Sequence, residues 1–288
     1  MSRRRRLDAE LVRRGLVGSR TEAQQAVEAG LVTVDGAPAL KSARQVDPGE
    51  AVTLLAPPRA HVSRGGEKLA HALDEFRIDV EGRRCLDAGA STGGFTDCLL
   101  QRGAARVVAV DVGYGQLHDR LRRDERVVVL ERTNVRELTA EDLPDPPAGL
   151  LVADLSFISL AGLLPALRGL VASHAEAVVL VKPQFEAGRN QVGRGGVVRD
   201  PEVWHACLRR VADAGARVGW QVRGATASPL LGPAGNVEFL LHLDPGEPDV
   251  SAVERSLAAA VAQGRRRAAN EAPAAAGDGD ADDEGGAG

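Results

Sequence analysis

Apolar and polar positions divide the chain into a short helix–hairpin segment, a long alternation of strands and helices, and a polar end. At the front, Leu7, Leu11, Val12 and Leu16 recur at helical spacing, and Gly18-Ser19 closes that helix. Ser19 can cap a second helix, with Glu22 three residues on and Ala23, Ala26 and Val27 as its apolar face up to Gly30. Leu31–Val34 reads as a strand, Asp35-Gly36 as a hairpin turn and Val52–Leu55 as a later strand. Pro57-Pro58 marks a linker. Apolar runs then alternate with helical spacing: Arg83–Leu86, Arg106–Val110, Val127–Leu130, Leu150–Ala153, Ala177–Val181, Gly219–Val222 and Val237–Leu243. Such runs predict an α/β fold, a doubly wound, mostly parallel Rossmann-like sheet of seven strands behind a small α+β domain. After Asp244, Pro, Gly, Ala and acids dominate; 251–262 has helical character and the stretch after Asn270 reads as disordered. The expected division is a domain at 4–57, a linker at 58–62, a sheet domain at 63–245 and an acidic, largely disordered tail at 246–288.

Charge sharpens this division. The 288 residues carry 36 Lys/Arg and 40 Asp/Glu, a net charge of −4. Residues 271–288 hold six acids and no base, so the remainder is +2. Residues 1–66 hold eleven Lys/Arg against seven Asp/Glu, or +4, which points to a polyanionic partner for the front. Only 3% of residues are aromatic, which argues against a platform for stacking single strands. Cys85, Cys98 and Cys207 lack CxxC spacing. They read as small core residues in a reducing cytosol, not as a zinc ribbon or a disulfide framework. No signal-peptide core follows the basic start, and no apolar run approaches the ~20 residues that span a membrane. A cytoplasmic monomer without metal is expected.

Polar residues fall at one end of nearly every predicted strand: Asp87, Asp111, Asn134, Asp154 and Lys182. Singly, Asp87 or Asn134 reads as a helix cap. Together they mark the carboxyl edge of an open sheet, where ligands bind. The turn after the first strand, Gly89-Ala90-Ser91-Thr92-Gly93-Gly94-Phe95, lets the backbone approach a ligand closely. It lacks the Gly-Lys-Ser/Thr of a phosphate loop, and Ser91 stands where a dinucleotide fingerprint has glycine. Asp97, in the first turn of the next helix, opposes a pyrophosphate. An adenosine ligand with a positive centre and no phosphate fits better, S-adenosylmethionine being one, with Asp111 placed to accept from ribose hydroxyls. A hydrolase elbow would need a later acid and histidine, and His174, His205 and His242 have no such setting.

Four charged residues bear on the reaction. Lys182 follows five apolar residues, an unusual place for a solvated lysine, and burial beside a second ammonium would make it a usable base. Asp154 would orient it. An antiparallel last strand would bring Glu238 to the same edge, within reach of Lys68 from a helix before the first strand. Cytosine-type carbon methylation would need a loop cysteine, and amine methylation Pro-Pro plus an aromatic where Leu155-Ser156-Phe157 stands. Phe95, Phe157, Phe185 and Phe239 each lie in a motif, as core or as walls for a base. Residues 186–200 form a basic loop that reads either as a plain surface loop or, placed right after Lys182, as a lid facing a polyanionic partner.

The strings Arg6-Leu7-Asp8, Leu11-Val12-Arg13-Arg14-Gly15-Leu16, Ser19-Arg20, Val32–Gly36 and Lys41 resemble the RNA-binding domain first described in ribosomal protein S-four. Ser63-Arg64-Gly65-Gly66-Glu67-Lys68-Leu69, Gly89–Asp97, Asp154–Leu160 and Lys182-Pro183-Gln184-Phe185-Glu186 resemble the TlyA family, haemolysin A-like, of FtsJ-type ribose 2′-O-methyltransferases. The resemblance covers about residues 4–243. It implies a methyltransferase sheet, cytidine 2′-O-methylation of ribosomal RNA in one or both subunits, and a catalytic tetrad of Lys68, Asp154, Lys182 (the base) and Glu238. S-adenosylmethionine would be held by Asp87, Gly89–Phe95, Asp111, Asn134 and Asp154. RNA would be gripped through its phosphates by Arg4, Arg6, Arg13, Arg14, Arg20, Lys41, Arg64, Arg189 and Arg194. Two other readings stand beside it: a non-catalytic RNA-binding ribosome-assembly factor, which the complete tetrad disfavours, and a haemolysin, for which the chain shows neither a span nor a basic amphipathic helix.

Overall fold

The computed structural model describes residues 4–55, 60–144, 147–247 and 249–271. The front domain is built from β1 (Arg5–Arg6), α1 (Leu7–Arg13), α2 (Arg20–Glu28), β2 (Val32–Val34), β3 (Ala37–Pro38), β4 (Gln45–Val46) and β5 (Val52–Leu54). α1 stops at Arg13, short of Leu16, because Gly15 turns left-handed at φ +68°. Ser19 caps α2, its hydroxyl accepting from the Glu22 N–H at 3.2 Å. Asp35 and Gly36 both take positive φ, as a tight hairpin between β2 and β3 requires. Leu7, Leu11, Ala23, Val27, Val32 and Val34 bury the inner faces of these elements.

The second domain opens with α3 (Arg64–Phe76), β6 (Arg84–Ala88), α4 (Gly94–Gln101), β7 (Arg106–Val110), α5 (Asp119–Arg122), β8 (Val127–Leu130) and β9 (Ala148–Ala153). It continues with α6 (Leu164–Gly169), β10 (Val171–Val181), α7 (Pro183–Glu186), α8 (Pro201–Arg217), β11 (Trp220–Ala227), β12 (Phe239–Pro245) and α9 (Val250–Glu271). Seven strands lie in the order β11-β12-β10-β9-β6-β7-β8. β12 is antiparallel to both of its neighbours, and the pairs from β10 through β8 are parallel. One face packs on α3 and α4 through Leu69, Leu73, Cys98 and Leu99, the other on α6 and α8 through Leu164, Leu167, Trp204 and Leu208. Burial on both faces explains the unbroken apolar runs.

The chain builds outward from β6 to β8, then returns to lay β9 on the other side of β6, so the order reverses there. Ligands bind at such a reversal, beyond the carboxyl ends of the strands. Register places the polar strand ends together. Ala88 pairs with Ala153 and with Val110, so Gly89, Asp154 and Asp111 emerge side by side. Val181 pairs with Phe239, which sets Lys182 beside Glu238.

The end of the chain differs from its sequence reading. Residues 250–271 form a 22-residue helix, where 246–288 was expected to be mostly disordered and only 251–262 helical. α9 buries Leu257 and Ala260, and its Gln263 side-chain oxygen accepts from Thr226 Oγ1 at 2.9 Å and Ala227 N at 3.0 Å. Its inward face carries Val253, Leu257, Ala260, Val261, Gly264 and Ala268, and beyond residue 262 the apolar positions thin to glycine and alanine, where the sequence signal ends. Residues 272–288 lie outside the described residues, as do 56 and 57 at the end of the expected front domain and 58 and 59 of the expected linker.

Candidate active site

Gly89 opens the turn at φ +87° against the Asp154 carbonyl, which would stand 2.5 Å from any Cβ added there. Only glycine combines that conformation with that approach. Ser91 follows at φ +49°, and Gly93, at φ +96°, starts α4 against Leu117 and Leu121. Asp111 fixes the turn by accepting from the Ser91 N–H at 2.8 Å and the Gly113 N–H at 2.6 Å. Asn134 serves its own turn, donating to Glu137 and accepting from the Arg136 N–H, while also lining the cavity. Behind the turn, Asp87 is fully buried; its Oδ2 accepts from Thr96 Oγ1 at 2.7 Å and its Oδ1 has no partner. Burial raises this carboxyl to about 7.

A cavity of about 450 Å³ runs from Gly89 and Ser91 past Asp111, Asn134 and Asp154 to Phe157. Its charged lining residues are acids, Asp111 and Asp154, and no Lys or Arg contributes. A phosphate would be repelled; a cationic ligand with ribose hydroxyls would be received. Asp97, taken from the sequence as an acid opposing phosphate, faces away from the cavity. It accepts from the Val62 N–H at 2.8 Å and Arg120 Nη2 at 2.7 Å, tying the linker to the sheet domain.

A smaller cleft of about 170 Å³ joins the turn to the predicted tetrad and is lined by Gly89–Thr92, Gly94, Phe95, Lys68, Asp154, Ser156 and Lys182. Lys182 is buried, its Nζ 2.6 Å from Asp154 Oδ1 and donating to Ser156 Oγ at 2.8 Å. Lys68 Nζ donates to Glu238 Oε2 at 2.5 Å, both side chains buried. Two lysine–carboxylate pairs therefore stand at one edge. Phe157, at φ +64° and 91% exposed, tilts against Phe185 with 5.3 Å between ring centroids.

The predicted RNA contacts separate into two groups. Arg6 and Arg20 bind the buried Asp8, and Arg13 and Arg14 bind the buried Glu10, whose carboxyls are held down at about 2, chiefly by Arg6 and Arg13. Arg14 also donates to the carbonyls of Glu50 and Pro48, and Arg64 to that of Leu231. Lys41, Arg189 and Arg194 are exposed, as is Arg4, which stands 4.0 Å from Asp47. Burial pushes the thiols of Cys85 and Cys98 up to about 12 and that of Cys207 to about 11, so they pack as core.

Four contributors went unnoticed in the sequence: Ser156 on Lys182, Thr96 beneath Asp87, Glu186 beside the Asp154 loop, and His118. The His118 backbone N–H donates to the Thr92 carbonyl at 3.2 Å, and its Nε2 donates to the Gly18 carbonyl of the front domain at 3.1 Å. Ser156, Thr96 and Glu186 had a sequence signal only in their places within the Asp154–Leu160, Gly89–Asp97 and Lys182–Glu186 strings, and His118 had none. Among the described residues, no group of three or more His, Cys, Asp or Glu could hold a metal, and no helix is long and apolar enough to cross a membrane.

Known proteins share this organisation. Residues 61–244 match the FtsJ-like methyltransferase family and residues 5–52 the S4 domain. A Mycobacterium tuberculosis 16S/23S rRNA (cytidine-2′-O)-methyltransferase, TlyA, is 57% identical over 84% of this chain and 91% of its own length. Hemolysin A of Brachyspira hyodysenteriae is 39% identical over 82% of this chain and 98% of its own. A solved structure of a candidate hemolysin from Streptococcus thermophilus superposes with a TM-score of 0.72 at 38% identity, covering 92% of this chain and 98% of that one. With the sheet, the turn and the front domain all matched, the chain belongs to the TlyA family of FtsJ-like methyltransferases that carry an S4 domain.

Proposed function

We propose that this methyltransferase transfers a methyl group from S-adenosylmethionine to the 2′-hydroxyl of a cytidine in ribosomal RNA, in the cytoplasm. The carrying observation is the buried Lys182, fixed by Asp154 at 2.6 Å and Ser156 at 2.8 Å in the cleft that also opens onto the glycine turn. The cytidine and ribosomal assignments are supported by the likeness to the Mycobacterium relative, a 16S/23S rRNA (cytidine-2′-O)-methyltransferase.

The turn Gly89–Phe95, with Asp111, Asn134 and Asp154, would hold S-adenosylmethionine, and Asp87 would brace the turn from behind; the acidic lining suits the ligand's positive centre. Bound there, it supplies a methyl on a sulfonium that departs as a neutral thioether. Lys182, as the free amine, takes the hydroxyl proton while the oxygen–methyl bond forms and the carbon–sulfur bond breaks. Asp154 and Ser156 aim Nζ. Glu238 anchors Lys68 on the facing wall, keeping its charge in place near the developing alkoxide. The exposed Phe157 ring offers a surface for the target base. Exposed Lys41, Arg189 and Arg194 are free to meet phosphates, whereas Arg14 braces the front domain.

Tritium transfer from labelled S-adenosylmethionine to ribosomal subunits tests this. Lys182→Ala should lower transfer by about 10²–10⁴-fold while retaining RNA in filter binding. Wild-type transfer by that variant would refute the assignment. A chain that binds RNA and never transfers methyl would be an assembly factor instead.

A further inference from the structure

One buried carboxylate at the active edge has no part in the chemistry above. Glu186 ends α7, four residues after Lys182, and is 3% exposed. Its side chain reaches back to the loop that follows β9. Oε2 accepts from Ser159 Oγ at 2.8 Å and Oε1 from the Leu160 N–H at 2.5 Å. Burial raises this carboxyl above its ordinary value, so the group is held there at a cost. Arg210 donates to the Glu186 carbonyl and fixes α7 itself to α8.

The same loop carries Asp154 and Ser156, the two groups that hold Lys182 Nζ. α7 and the loop are thus joined at two places, by Lys182 near the strand ends and by Glu186 beyond. Between them Phe157 is forced to φ +64° with its ring in solvent. A left-handed aromatic residue is strained and persists only where its surroundings leave no alternative. The two junctions supply that constraint.

We infer that Glu186 is a positioning residue for methyl transfer: it pins the far end of the Asp154–Leu160 loop to α7 and so sets where Asp154, Ser156 and Phe157 stand relative to Lys182. This rests on the proposed role of Lys182. Glutamine can replace the geometry, because its oxygen can accept from Leu160 N–H while its amide donates to Ser159 Oγ. Alanine leaves the loop untethered.

The test compares Glu186→Ala, Glu186→Gln, Ser159→Ala and Lys182→Ala in the full chain. Steady-state methyl transfer to ribosomal subunits is measured alongside RNA filter binding and thermal unfolding. Glu186→Ala should lower kcat by between about tenfold and 100-fold, the cost of misplacing a catalytic group by an ångström or less, with RNA affinity unchanged. Glu186→Gln should restore kcat to within about threefold of wild type. A wild-type kcat for folded Glu186→Ala overturns the inference, because Glu186 would then serve stability alone. A glutamine variant as impaired as alanine also overturns it, since geometry would not be the cause. If Glu186→Ala fails to fold, Ser159→Ala carries the test, and a wild-type kcat there overturns it. Full transfer by Lys182→Ala instead refutes the reading of the whole site; an inactive Lys182→Ala beside an unimpaired Glu186→Ala refutes only the tether.

Discussion

Replacing Asp87 by asparagine should make the protein more stable and a poorer enzyme. Asp87 is fully buried behind the glycine turn, with one oxygen bonded to Thr96 and the other without a partner. Burial raises its carboxyl from 3.8 to about 7. Below pH 4 both folded and unfolded chains hold the proton. Between pH 4 and 7 the folded chain keeps a proton that the unfolded chain has released, so stability falls as pH rises. At 1.36 kcal/mol per pH unit, the cost above pH 7 is about 4 kcal/mol. Asparagine has the same shape, keeps the Thr96 bond and does not titrate; its amide without a partner costs about 1 kcal/mol. Asp87→Asn should therefore exceed wild type by about 3 kcal/mol at pH 8, with the gap closing toward pH 4. Urea unfolding followed through Trp204 and Trp220, both in the sheet domain, measures it at pH 5, 6, 7 and 8 without ligand. Behind the turn the charge of Asp87 adds to that of Asp111 and Asp154 on a cationic ligand, so calorimetry at pH 8 should show S-adenosylmethionine affinity weakened by about tenfold or more. A stability gap that does not change with pH, or a wild type more stable at pH 8, would refute the reasoning.

Gly89→Ala places a Cβ 2.5 Å from the Asp154 carbonyl in a left-handed conformation. It should cost about 2–5 kcal/mol in urea unfolding and abolish measurable methyl transfer; a neutral substitution would mean that the turn does not press on Asp154. Leu257→Ala, in α9, should cost about 2–5 kcal/mol, against under about 0.5 kcal/mol if this segment were a dispensable tail. Asp8 and Glu10 have folded values near 2 against 3.8 and 4.5, so the stability they confer is complete above about pH 4.5 and lost as pH falls toward 2. NMR of the Leu7 and Leu11 methyls should show the front domain loosening over that window; unchanged resonances at pH 2.5 would contradict it.

The parts of the site that hang on backbone were visible in the sequence. Asp87, Asp111, Asp154 and Lys182 each follow an apolar strand run, and parallel pairing brings such ends together whatever the side chains do. Glu238 followed from the expectation of an antiparallel last strand, which the Val181–Phe239 pairing bears out. Side-chain partners were not visible. Ser156 and Thr96 are common residue types whose meaning depends on what folds against them. Asp97 occupies the expected helix turn, but its carboxylate swings to Val62 and Arg120, a direction that spacing cannot reveal. The basic front was countable; that Asp8 and Glu10 would engage four of its arginines depends on burial of two acids within α1. The helical character of 251–262 was legible, but not the continuation of α9 to Glu271, where Gly264 and Ala268 pack closely without reading as an apolar stripe.

The central claim is that the Lys182 edge modifies ribose rather than a base. Ribosomal RNA methylated by the purified enzyme, then digested with alkali, reports this directly, because a 2′-O-methyl blocks cleavage at the following phosphate. The account predicts labelled, alkali-resistant dinucleotides beginning with methylated cytidine, absent when Lys182→Ala is used. Label recovered in alkali-sensitive mononucleotides would place the methyl on the base and contradict it.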